Sequence, residues 1–358
     1  MRNTSKAATA RYFAVSHIGI VLALAALIAG CGGGGGGGGA STSSTSTSTG
    51  PSTSTVTTLF EQPQESGIAG NVFVPLAVKS SPPTGTFFLY VEQPDTFTTN
   101  GELVPTAWNA SSETGFAPSN PISDQLGFQN TPGTSTAQMD GDTVGAYINS
   151  ADVPTSPVVP AGTGGGCGHV ATPPSQKMMI APQYTWASGT EPIPFASSTT
   201  VLSGSLNLQI PTASGEAYAV VDMLFEDPNG VRVSYGVRLF ANGATNPVVG
   251  CGYNAPANSY KIDSPLGFDE RFVSKAANSA SDTGVPWLGM QHFEWSISQS
   301  QFAAALAFLA PQFPGDIPDV DPTQYKLTQV HLNAELNFVP GPAELGWSMS
   351  DLTIWLVN

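Results

Sequence analysis

The stretch EAYAVVDMLFEDPNGVRVSYGVRLF at residues 216–240 constrains this chain more than any other. Two alternating runs flank Asp227-Pro228-Asn229-Gly230, and Asn-Gly between such runs signals a tight hairpin. Side chains of a strand alternate faces. Val221, Met223 and Phe225 therefore oppose Tyr218, Asp222 and Glu226. On the return strand an apolar set opposes Arg232, Ser234 and Arg238. A hairpin with one apolar face needs a second layer to cover it.

Other segments follow the same pattern. SGSLNLQIP (203–211), GMQHFEWSIS (289–298), KLTQVHLNAELNFV (326–339) and GWSMSDLTIWLV (346–357) read as strands. TFFLYVEQP (86–94) does too, with weaker strands at QMDGDTVGAYI and KMMIAPQYTW. The remainder of residues 59–195 is dense in Gly, Pro, Ser and Asn, which mark loops. Ser298-Gln299-Ser300-Gln301 fits a capping box, Ser at the N-cap and Gln three residues on. Good helix formers follow in QFAAALAFL, and Pro311 ends the helix. One short helix in the C-terminal half among many strands predicts an all-β fold: an antiparallel, jelly-roll-like β-sandwich at residues 59–358, most regular from about 200 onward.

The order from 200 to 358 (strand, capped helix, DPTQY loop, strand, then the glycine-led GWSMSDLTIWLV) resembles the C-terminal part of concanavalin A-like lectin and glucanase jelly rolls. The resemblance implies a sandwich that handles glycans. The glucanase run E-x-D-x-x-E does not occur in this sequence.

Ahead of the body, Arg2, Lys6 and Arg11 precede an apolar run from Phe13 to Ile28. A basic start and a short apolar stretch make a secretory signal peptide, here residues 1–30. An uncleaved anchor is the alternative, with a run near the short end for a membrane span. Ile28-Ala29-Gly30-Cys31 resembles the bacterial lipobox, which implies a lipidated Cys31. Two or more acyl chains give stable anchoring. Gly32 at the next position, by resemblance to the enterobacterial sorting rule, implies the outer membrane. The glycines and Ser/Thr ladder that follow complete a tether over 31–58. Such a linker is a flexible coil spanning roughly 30 Å.

The chain carries 11 basic and 26 acidic residues, a formal charge of −15. Loss of the three signal-peptide cations leaves 8 against 26, near −18. Nucleic acid is excluded as a partner, because its phosphates need a basic footprint. Contact with a membrane is expected through the N-terminal lipid, since an acidic surface is repelled by anionic headgroups. Cys167 and Cys251 both precede glycine in turn-like loops. An oxidising envelope permits their pairing.

Several strands pair an apolar face with one rich in His, Asn, Glu and Arg. His331, Asn333, Glu335 and Asn337 share one such face, and His292 and Glu294 another. Simple solvation of this face is one reading. The sharper expectation is a glycan-binding surface of His292, Glu294, His331, Asn333, Glu335, Asn337, Arg232 and Arg238, working without catalysis. Trp287, Trp347 and Trp355 are candidate platforms beneath a sugar ring. A catalytic alternative places Glu294 and Glu335 as the acid and its partner if their strands are neighbours. A lyase alternative uses His331 or His292, with Arg232 or Arg238 neutralising a uronate. A third reading has the loops at 95–195 meet a protein partner. No cofactor or metal is expected: nucleotide-loop and HExxH motifs are absent from the body.

Overall fold

A computed structural model describes residues 54–62, 85–92, 96–97, 103–104, 125–129, 136–140, 143–150, 176–244, 248–254, 259–313, 320–338 and 342–358. The stretch read as a signal peptide, Cys31, most of the stretch read as a tether, and Cys167 lie outside these residues. The described strands are β1 (Val56–Glu61), β2 (Thr86–Glu92), β3 (Thr96–Phe97), β4 (Leu103–Val104), β5 (Gln125–Gln129), β6 (Thr136–Asp140), β7 (Thr143–Asn149), β8 (Gln176–Thr185) and β9 (Val201–Ser214). They continue with β10 (Glu216–Glu226), β11 (Arg232–Ala241), β12 (Gly250–Asn254), β13 (Ser259–Pro265), β14 (Ser274–Lys275), β15 (Trp287–Ser298), β16 (Lys326–Phe338) and β17 (Glu344–Val357). The helix α1 spans Gln299–Leu309. Strand β1 begins at Val56, within the stretch read as tether.

The fold is the expected all-β sandwich. One sheet has eight strands in the order β14-β15-β9-β17-β7-β6-β5, with β1 also pairing β17. The other has seven, β12-β13-β11-β10-β16-β8-β2. Pairing is antiparallel except between β11 and β13, which run parallel. The apolar faces of both sheets share one core. Val221, Met223, Phe225, Val330, Leu332 and Leu336 from the seven-stranded sheet, and Phe293, Trp295, Ile297 and Ile354 from the eight-stranded one, are almost wholly buried.

The β10–β11 hairpin closes as read. Asp227 Oδ1 accepts from the backbone N–H groups of Asn229 and Val231, each at 2.8 Å. Gly230 supplies the positive φ of 81° that the turn requires. The capping box also forms: Ser298 accepts from the Gln301 N–H at 3.2 Å, and Gln301 Oε1 accepts from the Ser298 N–H at 2.9 Å. The helix plugs the core with Phe302, whose ring lies 4.6 Å from Phe225 and 4.7 Å from Phe195.

In β17 the phase of burial changes midway. Leu345, Trp347 and Met349 are core, and then Leu352 and Ile354 are. The shift falls at Asp351, whose φ of 58° is left-handed, where pairing with β9 skips from Ser350 to Thr353. Asp tolerates this region better than most side chains. The extra residue of such a bulge re-aims everything after it.

Removing the Phe302 ring leaves a cavity that α1 and two sheets cannot close. Phe302→Ala is expected to cost about 3–5 kcal/mol in urea unfolding at pH 7.

Candidate functional site

The register of the seven-stranded sheet sets polar side chains side by side on its outer face. Asp263 of β13 pairs with Gly236 of β11, Gly236 with Asp222 of β10, Asp222 with His331 of β16, and His331 with Gln183 of β8. This row crosses five strands. Lys261 and Ser234 flank it on one side, Asn333 and Glu335 on the other.

Gly236 is the keystone. A Cβ there would collide with Asp263 Oδ1 and lie 3.1 Å from Asp222 Oδ1. The two carboxylates therefore meet above a residue without a side chain. Lys261 Nζ bridges them, 3.5 Å from Asp222 Oδ2 and 3.4 Å from Asp263 Oδ2. Asp222 also accepts from Ser234 Oγ at 2.9 Å and Asn333 Nδ2 at 3.4 Å, and His331 Nε2 lies 3.6 Å away. Gln329 Nε2 contacts His331 Nδ1 at 2.8 Å. Farther along, the Tyr218 hydroxyl donates to Glu335 Oε1 at 2.6 Å.

This face is not an ordinary solvated one. Asp222 is 3% exposed, Glu335 5% and Asn333 6%. The Lys261, His331 and Asp263 side chains keep 19%, 14% and 23%. Two buried acceptors, Asp263 Oδ1 and Asn333 Oδ1, have no donor. An unmet buried acceptor costs about 1–3 kcal/mol.

Burial drives the Asp263 carboxyl up to about 6, with Asp222 adding and Lys261 opposing. Burial pushes Asp222 upward as well. There the charges of Lys261 and His331 and the Ser234 and Asn333 hydrogen bonds outweigh it, so Asp222 sits below its ordinary value. Burial lowers Lys261, but Asp222, Asp263 and Glu335 more than reverse this and keep it an ammonium. Burial and the Glu335 carboxylate hold the Tyr218 phenol well above its usual range, and Glu216 is raised by the same two causes.

The residues expected to form one surface divide between two. His331, Asn333, Glu335, Arg232 and Arg238 belong to the seven-stranded sheet, with Asn337 opposite Glu216 at the end of β16. His292 and Glu294 belong to the eight-stranded sheet, on β15. There His292 Nε2 lies 3.4 Å from Glu294 Oε2, and Asn207 links His292 to Asp351. β15 and β16 are consecutive in the chain but not neighbours, because α1 carries the chain from one sheet to the other. Glu294 and Glu335 thus form no acid–base pair across adjacent strands. Both arginines of the lyase alternative have acidic partners. Arg232 Nε is bound to Glu226 at 2.7 Å, and Arg238 is bound to Asp282 at 2.9 Å. Arg232 keeps 44% exposure and further N–H groups beyond the Glu226 contact.

Of the tryptophan platforms, Trp347 is corrected, while Trp287 and Trp355 are half-buried. Trp347 is core at 2% exposure, and Trp287 packs against Phe240 and Phe293 while donating to the Leu208 carbonyl. Trp355 pairs with Ser203 on the eight-stranded sheet. Cys251 lies on β12 and is disulfide-bonded. The other two cysteines of the chain, Cys31 and Cys167, lie outside the described residues.

Sequence reasoning passed over Lys261, Asp263 and Gly236. The alternation Tyr260-Lys261-Ile262-Asp263 was the available signal for the first two. Among the described residues, no group of three or more His, Cys, Asp or Glu is placed to hold a metal ion. Nor is any helix there long and apolar enough to cross a membrane.

In structure the chain is similar to the native family 12 xyloglucanase from Bacillus licheniformis, with 11% identity, a TM-score of 0.32, and coverage of 74% of this chain and 98% of that one. It is also similar to the xyloglucanase domain of NopAA, a type three effector from Sinorhizobium fredii, at 12% identity and TM-score 0.28, covering 62% and 85%. Endoglucanase cel12A from Rhodothermus marinus follows at 14% identity and TM-score 0.26, covering 64% and 94%. No protein-family model and no curated protein matches the chain. Likeness at these scores assigns no residue of the site.

Two predictions follow from the charge arrangement. Asp263 and Asp282 both bind a proton more readily folded than unfolded, each with its carboxyl raised to about 6. Their contribution is full below the unfolded value and is lost as pH rises through 6. Thermal stability should therefore rise from pH 7.5 to pH 5, and by less in Asp263→Asn, as read by scanning calorimetry. Asp222 acts oppositely and loses its contribution only below its ordinary value. Lys261→Met leaves two carboxylates facing each other and should cost about 3–5 kcal/mol at pH 7. That loss should shrink at pH 5, where Asp263 is protonated.

Proposed function

We propose that the outer face of the seven-stranded sheet binds a glycan and does not cut it. The observation that supports this most is the pair of donorless oxygens, Asp263 Oδ1 and Asn333 Oδ1, in an enclosed polar cluster. Perturbed, partly unsatisfied polar groups concentrate at functional sites. These oxygens are shut off from solvent, and a sugar's hydroxyls would meet the partly exposed Lys261, His331 and Asp263 side chains beside them. Binding is favoured over hydrolysis by the state of Asp222. Its carboxylate is held by Ser234, Asn333, Lys261 and His331, and no second carboxyl group is placed beside it as an acid, since Asp263 is bridged to it through Lys261 and Glu294 lies on the other sheet.

The reading includes an address. Cys31 carries the lipid, residues 31–58 act as the tether, and the body stands at the outer membrane. The partner of Cys251 is Cys167, closing a loop of about 84 residues. In the chain-entropy model this stabilises by about 4–5 kcal/mol. Peptide mapping without reduction should recover a linked Cys167–Cys251 pair. Recovery of a free Cys167 thiol would refute the pairing.

The glycan claim is tested with the full chain in detergent, by retardation in gels cast with soluble polysaccharides and by assay of released reducing ends. Retardation without release is expected, weakened by Asn333→Ala and Glu335→Ala in protein that still unfolds cooperatively. Release of reducing ends would make it a hydrolase. No retardation by folded protein would overturn the glycan reading and turn attention to a protein partner.

A further inference from the structure

A strained residue shapes the outer face of the eight-stranded sheet. Asp351 holds its left-handed φ of 58° within β17. The bulge there shifts the strand's phase, so that Leu352 and Ile354 turn into the core while Thr353 and Trp355 turn outward. Without the shift, Trp355 would keep step with the buried Trp347. A costly backbone position thus brings a large aromatic side chain to the surface, and such outliers concentrate at ligand sites. The half-buried Trp355 pairs with Thr58 of β1 on one side and Ser203 of β9 on the other, and Ser203 pairs in turn with Ser296 of β15. None of these neighbours is larger than threonine.

Asp351 also orders a chain of side chains across three strands. Its carboxylate accepts from Asn207 Nδ2 at 2.7 Å, which turns Asn207 Oδ1 toward His292 Nδ1 at 3.1 Å. Nδ1 therefore carries the imidazole hydrogen. In the neutral ring Nε2 is then an acceptor, and it faces another acceptor, Glu294 Oε2, at 3.4 Å. Both side chains are open to solvent, His292 at 46% and Glu294 at 41%. Strands β9, β15 and β17 contain no Lys or Arg. On β14 beside them, Lys275 Nζ donates to the Ala276 and Ser279 carbonyls.

We infer that this face is a second glycan-binding surface, for a neutral oligosaccharide, with one sugar ring resting on Trp355 and hydroxyls of another donating to His292 Nε2 and Glu294. The surface lies on the opposite sheet from Asp222 and Asp263, and the inference does not depend on binding there. The chemistry is complementary. The C–H face of a pyranose suits an indole, and vicinal hydroxyls bring the two donors that the facing acceptors lack. Strand spacing and rise put Glu294 and His292 about 12–16 Å from Trp355, which is wider than one sugar ring. A uronate would add carboxylate acceptors to a place already supplied with them and without a cation to meet them.

The test uses the full chain in detergent, run in gels cast with a concentration series of glucomannan or of polygalacturonate. Trp355→Ala is expected to raise the dissociation constant for glucomannan about tenfold, and Trp355→Phe, which keeps a ring, to hold it within about threefold. His292→Ala, at an exposed position that leaves the fold intact, should raise it about fivefold. Polygalacturonate should not retard the chain. Weakening by the Trp355 and His292 variants but not by Glu335→Ala would support this inference and take binding away from the seven-stranded sheet. Glucomannan affinity left unchanged by both Trp355→Ala and His292→Ala would overturn it, and the effect of Glu335→Ala would then decide whether the seven-stranded sheet is the site. Stronger retardation by polygalacturonate than by glucomannan would overturn it as well. Absence of retardation by either polymer, in protein that unfolds cooperatively, would remove both glycan readings together.

Discussion

The approach of two carboxylates across Gly236 is the constraint on which the rest of the site depends. Asp222 and Asp263 sit on strands that are not neighbours, with β11 between them. Only a residue without a side chain at that point lets them meet. Once they do, a cation must lie between them, and Lys261 supplies it at 3.4–3.5 Å. Ser234, Asn333 and His331 then complete the shell of Asp222. The parallel pairing of β11 with β13 is part of the same arrangement, because it brings Lys261 and Asp263 beside Ser234 and Gly236.

The two faces of the sheet show the division of labour. The inner face is conventional: Val221, Met223, Val330 and Leu332 pack against the other sheet, and Phe302 of the helix plugs the core. The outer face carries ionised groups at exposures usually kept for core residues. Such a cluster is a poor source of stability, since desolvation offsets most of the attraction between the charges. It also leaves acceptors without donors. A face built only to meet water would not need either feature.

Much of the architecture was legible from local signals. The Asp-Pro-Asn-Gly turn, the Ser-x-x-Gln box and the alternation in 326–338 each act over a few residues, and each appears as read. The division of residues between the sheets was not legible. His292 and Glu294 look equivalent to His331 and Glu335 in sequence, yet the helix between them sends the second pair to the opposite layer. Lys261 and Asp263 were hidden for a related reason. Their strand is short, follows Pro- and Asn-rich sequence, and, besides its antiparallel pairing with β12, pairs in parallel with β11 in a register that no turn between those two fixes. The tryptophans show a third kind of limit: period-two counting places Trp347 and Trp355 on one face, but the bulge at Asp351 lies between them.

The most direct measurement is the carboxyl titration of Asp263, followed by 13C NMR in the full chain labelled at aspartate. The account predicts a midpoint of about 6 for Asp263. It also predicts that Asp222 stays ionised below the range of ordinary aspartates. Titration of both with the exposed aspartates would mean an open, solvated face, and the enclosed site described here would not exist.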